Sequence, residues 1–167
     1  MPPTPTPTKD IVLVLAASLL VACGGEEDAG SASRRAAPTA KQCALAELGE
    51  AADRVAAGDL PSRQYAKLTG LTDPRTLVWQ DERTKDVFYI TRVMGTERRL
   101  YYMEQLETGE EPVPKSTLVG TITRWSELPP ERGVVLARAL KREYDLEIEP
   151  ERTWLMEGGR RPEGCGR

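Results

Sequence analysis

The chain has 167 residues, 40% of them hydrophobic and 29% charged, a composition that argues against wholesale disorder and fits one domain with appendages. Its 23 Lys and Arg against 26 Asp and Glu leave a formal charge of -3, without the basic surplus that a dedicated nucleic-acid binder needs. Histidine is absent, which removes His-based acid–base catalysis, Ser-His-Asp triads and His-containing metal sites.

Ile11 to Val21 is an unbroken run of eleven apolar or small residues. A membrane-spanning helix needs ~20 apolar residues and a signal-peptide core ~7–15, so the run fits the second class. It ends in Leu20-Val21-Ala22-Cys23, then Gly24-Gly25. This segment resembles the lipobox of bacterial lipoproteins: a branched apolar residue, two small-to-medium residues, then the modified cysteine. The resemblance implies that residues 1–22 are a signal peptide removed by signal peptidase II. Cys23 would then be the first mature residue and the lipidation site. A diacylglyceryl group on its sulfur, with acylation of the new amine, would supply the two or three chains that stable anchoring requires. Gly24 stands where an Asp would hold such a protein at the inner membrane, so the resemblance implies outer-membrane sorting, facing the periplasm.

Residues 23–40 are small and polar with no apolar periodicity, and read as the lipidated cysteine plus a flexible tether. Glu26, Glu27 and Asp28 lack the alternating ligands and glycine of a calcium loop. Residues 41–167 read as a single globular domain. Leu45, Leu48, Ala52 and Val55 share the three-and-four spacing of one helical face, predicting a helix over Ala40–Ala57 that Gly58 ends. A second short helix is predicted over Ser62–Leu68, followed by an Asp73-Pro74 turn. Four β-branched and aromatic runs then predict strands at Thr76–Gln80, Val87–Met94, Arg99–Leu106 and Ser116–Trp125. Pro129-Pro130-Glu131 opens a helix whose inward stripe is Leu136, Ala137, Leu140 and Tyr144. Short strands are expected at Asp145–Glu149 and Arg152–Glu157. The expected fold is α+β: an antiparallel sheet of about four to five strands, with an N-terminal helix and a C-terminal helix packed on one face.

In the oxidising compartment that the lipobox implies, the two cysteines left after Cys23 allow one intramolecular pairing, Cys43 with Cys165. Neither CxxC nor clustered ligands surround them, so a structural disulfide is expected rather than a redox or metal site. There is no P-loop, no GxGxxG after a strand, no HExxH and no GxSxG. Glu107, Glu110 and Glu111 lie in a polar turn, where water leaves them little acid–base role. Arg138, Lys141 and Arg142 form a basic helical face and Arg98-Arg99 a basic turn, both read as solvated charge. Trp79, Phe88, Tyr89, Tyr101, Tyr102 and Trp125 are assigned to the core rather than to a ligand pocket. Tyr89-Ile90-Thr91-Arg92-Val93, Tyr101 to Glu104, Pro112-Val113-Pro114 and Leu118 to Ile122 are similar in order to the β-rich body of type I signal peptidases. Glu104-Gln105 replace that family's Gly-Asp and no Ser–Lys pair can be placed, so the likeness implies a related sheet and no peptidase activity.

The function expected is that of a non-enzymatic binding or scaffolding domain, anchored to the membrane through lipid on Cys23 and meeting an envelope protein partner. No catalytic residue, cofactor, metal or nucleic acid is assigned. The alternatives are a small envelope hydrolase using carboxylates, or Ser with one of Lys67, Lys85, Lys115 and Lys141, or an inhibitor of an envelope hydrolase.

Overall fold

The computed structural model describes residues 37–81, 84–107 and 110–165. The expected signal peptide, Cys23 and most of the tether lie outside the described residues. The elements in chain order are α1 (Ala40–Cys43), β1 (Ala46–Glu50), α2 (Ala51–Ala57), β2 (Gln64–Thr69), β3 (Thr72–Gln80), β4 (Val87–Val93), β5 (Leu100–Leu106), β6 (Thr117–Arg124), α3 (Pro130–Tyr144) and β7 (Trp154–Gly158), with a 3-10 turn at Trp125–Glu127.

These elements correct the expected architecture. One sheet of seven strands runs in the order β1-β2-β6-β7-β5-β4-β3. It is mixed: β1 pairs parallel with β2 and β5 parallel with β7, while the other neighbours are antiparallel. The last element is a strand, and no C-terminal helix closes the described chain. The helix α3 is instead the crossover that carries the chain from β6 to β7, which inserts between β6 and β5.

The predicted helix over Ala40–Ala57 is three elements. Thr39 and Gln42 form a reciprocal capping box that starts α1, but the helix stops after one turn at Cys43. Ala46–Glu50 then pairs along β2, bulged between Glu47 and Gly49. Gly49 has φ +79, which favours glycine and breaks a continuous helix there. Ala, Leu and Glu favour helix only weakly per residue, and the long-range ladder outweighs that preference. Ser62–Leu68 also forms strand rather than helix: Gln64, Ala66 and Leu68 are buried in strict alternation, a period of two. Asp145–Glu149 forms no strand, whereas the expected final strand is present as β7.

The sheet curls on itself. In the strand order β2 and β3 stand five spacings apart, about 24 Å if the sheet were flat. In the chain they are separated by Gly70 and Leu71 alone, a link that spans about 11 Å at most. The layer must therefore bend until β2 and β3 meet, making a barrel-like wall with β1 attached outside β2. Gly70 allows the joint, because a Cβ there would lie 3.0 Å from both the Ala51 Cβ and the Val93 Cγ1. The Gly70 and Thr72 N–H groups donate to the carbonyls of Ser116 (3.0 Å) and Lys115 (2.9 Å), sealing the joint against the start of β6.

Two cores follow from the strand alternation, one on each face. The inner core holds Ala66, Leu68, Tyr89, Leu100, Tyr102 and their neighbours, with Ala51 and Val55 of α2 packed on it. The outer core holds Phe88, Ile90, Tyr101, Met103 and Leu155, covered by Leu136, Ala139 and Leu140 of α3. The helices thus lie on opposite faces rather than together on one. Leu100–Met103 is buried at four successive positions because both faces of β5 are covered. Arg132 of α3 ion-pairs with Glu157 at 2.8 Å, fixing the helix over β7.

Cys43 and Cys165 form a disulfide with a Cα–Cα distance of 5.5 Å across a sequence separation of 122. Cross-linking so large a loop stabilises by up to about 4–5 kcal/mol in the chain-entropy account. The bond joins the first helix of the described chain to its last residue. Beside it, Gln64 Nε2 donates to the carbonyls of Lys41 (2.9 Å) and Ala44 (2.8 Å), holding α1 against β2.

Candidate functional site: the open mouth of the curled sheet

The two ends of the curled sheet differ. Near the β4–β5 turn, Val93 and Leu100 are sealed by α2. At the other end of the same hairpin, Tyr89 and Glu104 stand directly opposite each other on β4 and β5. Inward positions on β5 run Leu100, Tyr102, Glu104, Leu106, so the alternation that builds the core carries a carboxylate to the mouth.

Three groups surround that carboxylate. The Tyr89 hydroxyl donates to Glu104 at 2.6 Å. Lys115 Nζ ion-pairs with Glu104 and lies 5.8 Å from the centroid of the Tyr102 ring. The Tyr102 phenol is the third neighbour, close enough to feel the carboxylate's charge. Tyr102 fits because β7 offers Gly158 beneath it, where a Cβ would run into the phenol oxygen. Lys115 arrives because its backbone is fixed at the β2–β3 joint: its N–H donates to Thr72 Oγ1 at 2.8 Å and its carbonyl accepts from Thr72 N–H. The closure of the sheet therefore delivers the lysine to its mouth.

Burial alone would push the Glu104 carboxyl up, but the hydrogen bonds from Lys115 and Tyr89 outweigh it and hold the carboxyl below its ordinary 4.5. Burial, reinforced by the adjacent Glu104 charge, pushes both the Tyr89 and Tyr102 phenols well up. Near neutral pH the cluster is a carboxylate, an ammonium and two neutral phenols. Beside it opens a cleft of about 340 Å³. Its apolar wall includes Leu106, Pro112 and Val113, and the loop before β6 adds Glu110 and Glu111.

The assignments read from the sequence fall as follows. Cys43 and Cys165 are brought together, and Cys23 lies outside the described residues. Phe88, Tyr89, Tyr101, Tyr102 and Trp125 are buried as expected of core, but Tyr89 also lines the cleft. The polar turn read as solvated contributes Glu110 and Glu111 to the cleft, with Glu110 accepting from Glu107 N–H at 3.1 Å. Lys141 pairs with Asp145 and Glu147 on the surface, and Lys67 with Glu47. Lys115 and Glu104 escaped the sequence reading as a pair. The signal was a charged residue at an inward, period-two position, which must find a counter-charge.

A second ionic cluster is structural. Asp73 ion-pairs with Arg92 and accepts from Arg75 N–H at 2.9 Å, while the Thr91 hydroxyl donates to the Asp73 carbonyl at 2.6 Å. Burial opposes the charge on Asp73, but these bonds prevail and lower its carboxyl. Together they lock the Asp73-Pro74 bend onto β4. Among the described residues no helix is long and apolar enough to cross a membrane, and no three His, Cys, Asp or Glu side chains gather to hold a metal ion.

No family model, curated protein or solved structure matches the chain.

Proposed function

We propose that the chain is a lipid-anchored bacterial envelope protein whose disulfide-tied domain binds another envelope component through the open mouth. The observation that carries the binding reading is the ionised Glu104, set between Tyr89 and Lys115 beside a cleft. The lipobox at Leu20–Cys23 supports the anchor, and the Cys43–Cys165 bond supports an oxidising compartment. Gly24 supports sorting to the outer membrane, with the domain facing the periplasm. An inhibitor of an envelope hydrolase belongs to the same binding class. A hydrolase is less well supported. A carboxylate acid–base pair needs one carboxyl kept protonated, and Glu104 is held ionised by an ammonium. Lys115 faces that carboxylate, not a serine nucleophile.

Membrane fractionation and affinity capture of the full chain from envelopes test the proposal together. The protein should sediment with membranes and retain a discrete partner, Cys23→Ser should release it to the soluble fraction, and Glu104→Gln should weaken capture. A protein indifferent to Cys23→Ser and recovered alone would overturn the reading.

A further inference from the structure

The seat that Lys115 occupies is built like a receptor for an organic cation. It combines an ionised carboxylate, a phenol that orients it and the face of a second aromatic ring. Its present occupant is loosely committed. The Lys115 side chain is 35% exposed, and its backbone is fixed separately at Thr72, so the side chain can swing out while the joint stays closed. A partly exposed ion pair holds its partners weakly. The adjoining cleft of about 340 Å³ is at the small end of ligand pockets, about the scale of one long side chain. Its walls suit such a group: Leu106 and Pro112 are apolar enough for an alkyl stem, and among the described lining residues the carboxylates outnumber the ammonium, with Glu104 and Glu110 against Lys115. An anionic ligand would meet that carboxylate majority unfavourably.

Building on the binding reading above, we propose that the mouth recognises a primary ammonium on an alkyl stem, and that Lys115 is an internal stand-in which the incoming ammonium displaces from Glu104. The guest competes for the same carboxylate and ring, so its apparent affinity is reduced by the fraction of time Lys115 is seated. Two sources carry this chemistry, a lysine side chain of a peptide and a free diamine.

The test titrates the full chain in detergent with Nα-acetyl-lysine amide, with putrescine and with the uncharged Nα-acetyl-norleucine amide, following the ring resonances of Tyr89 and Tyr102. Saturable shifts with an ammonium and none with the norleucine amide are expected in the wild type. Lys115→Met should bind about tenfold more tightly, since the internal competitor is gone, and Glu104→Gln should not bind. Stronger binding of the lysine amide assigns a peptide source, and stronger binding of putrescine a free diamine. Absence of binding to the wild type overturns the proposal, even if Lys115→Met binds, because any emptied ion-pair site accepts an amine. Equal binding of the norleucine amide also overturns it. Near-ultraviolet circular dichroism checks that each variant is folded, and Lys115→Arg keeps the stand-in charge as a control. Loss of ammonium binding with partner capture intact removes this specificity alone; loss of both removes the binding reading.

Discussion

The two ends of the β4–β5 hairpin use one inner face for opposite purposes. At the end sealed by α2, the inward residues Val93 and Leu100 are almost fully buried in the apolar inner core. At the open end the same face presents Tyr89, Tyr102 and Glu104, with Lys115 seated against them. Apolar burial at the sealed end stabilises without directional demands. The open end keeps a charge that could have been a leucine, and surrounds it with the bonds that make the charge tolerable. Apolar packing is concentrated at one end and charge at the other.

Truncation at the sealed end should break the contrast most severely. Leu100→Ala removes a fully buried side chain that α2 cannot replace, and should cost about 2–5 kcal/mol in a denaturant titration. Replacing Cys43 and Cys165 together by serine should cost about 2–4 kcal/mol by the same measurement and leave the mouth intact. Gly158→Ala should cost about 1–3 kcal/mol by driving a methyl into the Tyr102 hydroxyl, and should also disturb the tyrosine spectrum. Glu104→Gln should lower stability by only about 1 kcal/mol, yet allow Tyr89 and Tyr102 to ionise at lower pH in an alkaline absorbance titration.

The smallest effect is pH dependence from the mouth itself. The Glu104 carboxyl is depressed in the fold, so the unfolded chain binds its proton more readily. Its contribution is complete above the ordinary value of 4.5 and is lost as pH falls through the lower native value. Asp73 acts in the same direction below its ordinary 3.8. Denaturation midpoints of wild type and Glu104→Gln should therefore converge as the pH is lowered, with the gap open above pH 4.5.

The strands from Thr76 to Trp125 were legible because β-branched and aromatic runs alternate with short polar turns, a signal that local chemistry carries by itself. The helix α3 was legible from Pro130, Glu131 and its terminal basic residues. The segment from Ala40 to Leu68 was not, since its helix-favouring composition is overruled by pairing with strands about sixty residues away, as Ser62 Oγ accepting from Arg124 N–H illustrates at a separation of 62. Closure of the sheet was hidden for a similar reason: nothing local to Gly70-Leu71 announces that β2 and β3 stand five positions apart in the strand order. The disulfide was legible from counting thiols once the compartment was inferred. The mouth was half legible. Glu104 at an inward position called for a cation, but which lysine answers depends on the joint that brings Lys115 to Thr72.

Site-specific photocrosslinking in living cells tests the division of labour most directly. A photoreactive residue placed at Val113, on the wall of the mouth and 66% exposed, is compared with one at Val134, 48% exposed on the outer surface of α3. The account predicts a discrete membrane-associated adduct from Val113, weakened by Glu104→Gln, and none from Val134. Adducts of equal yield from both positions, or from Val134 alone, would contradict it.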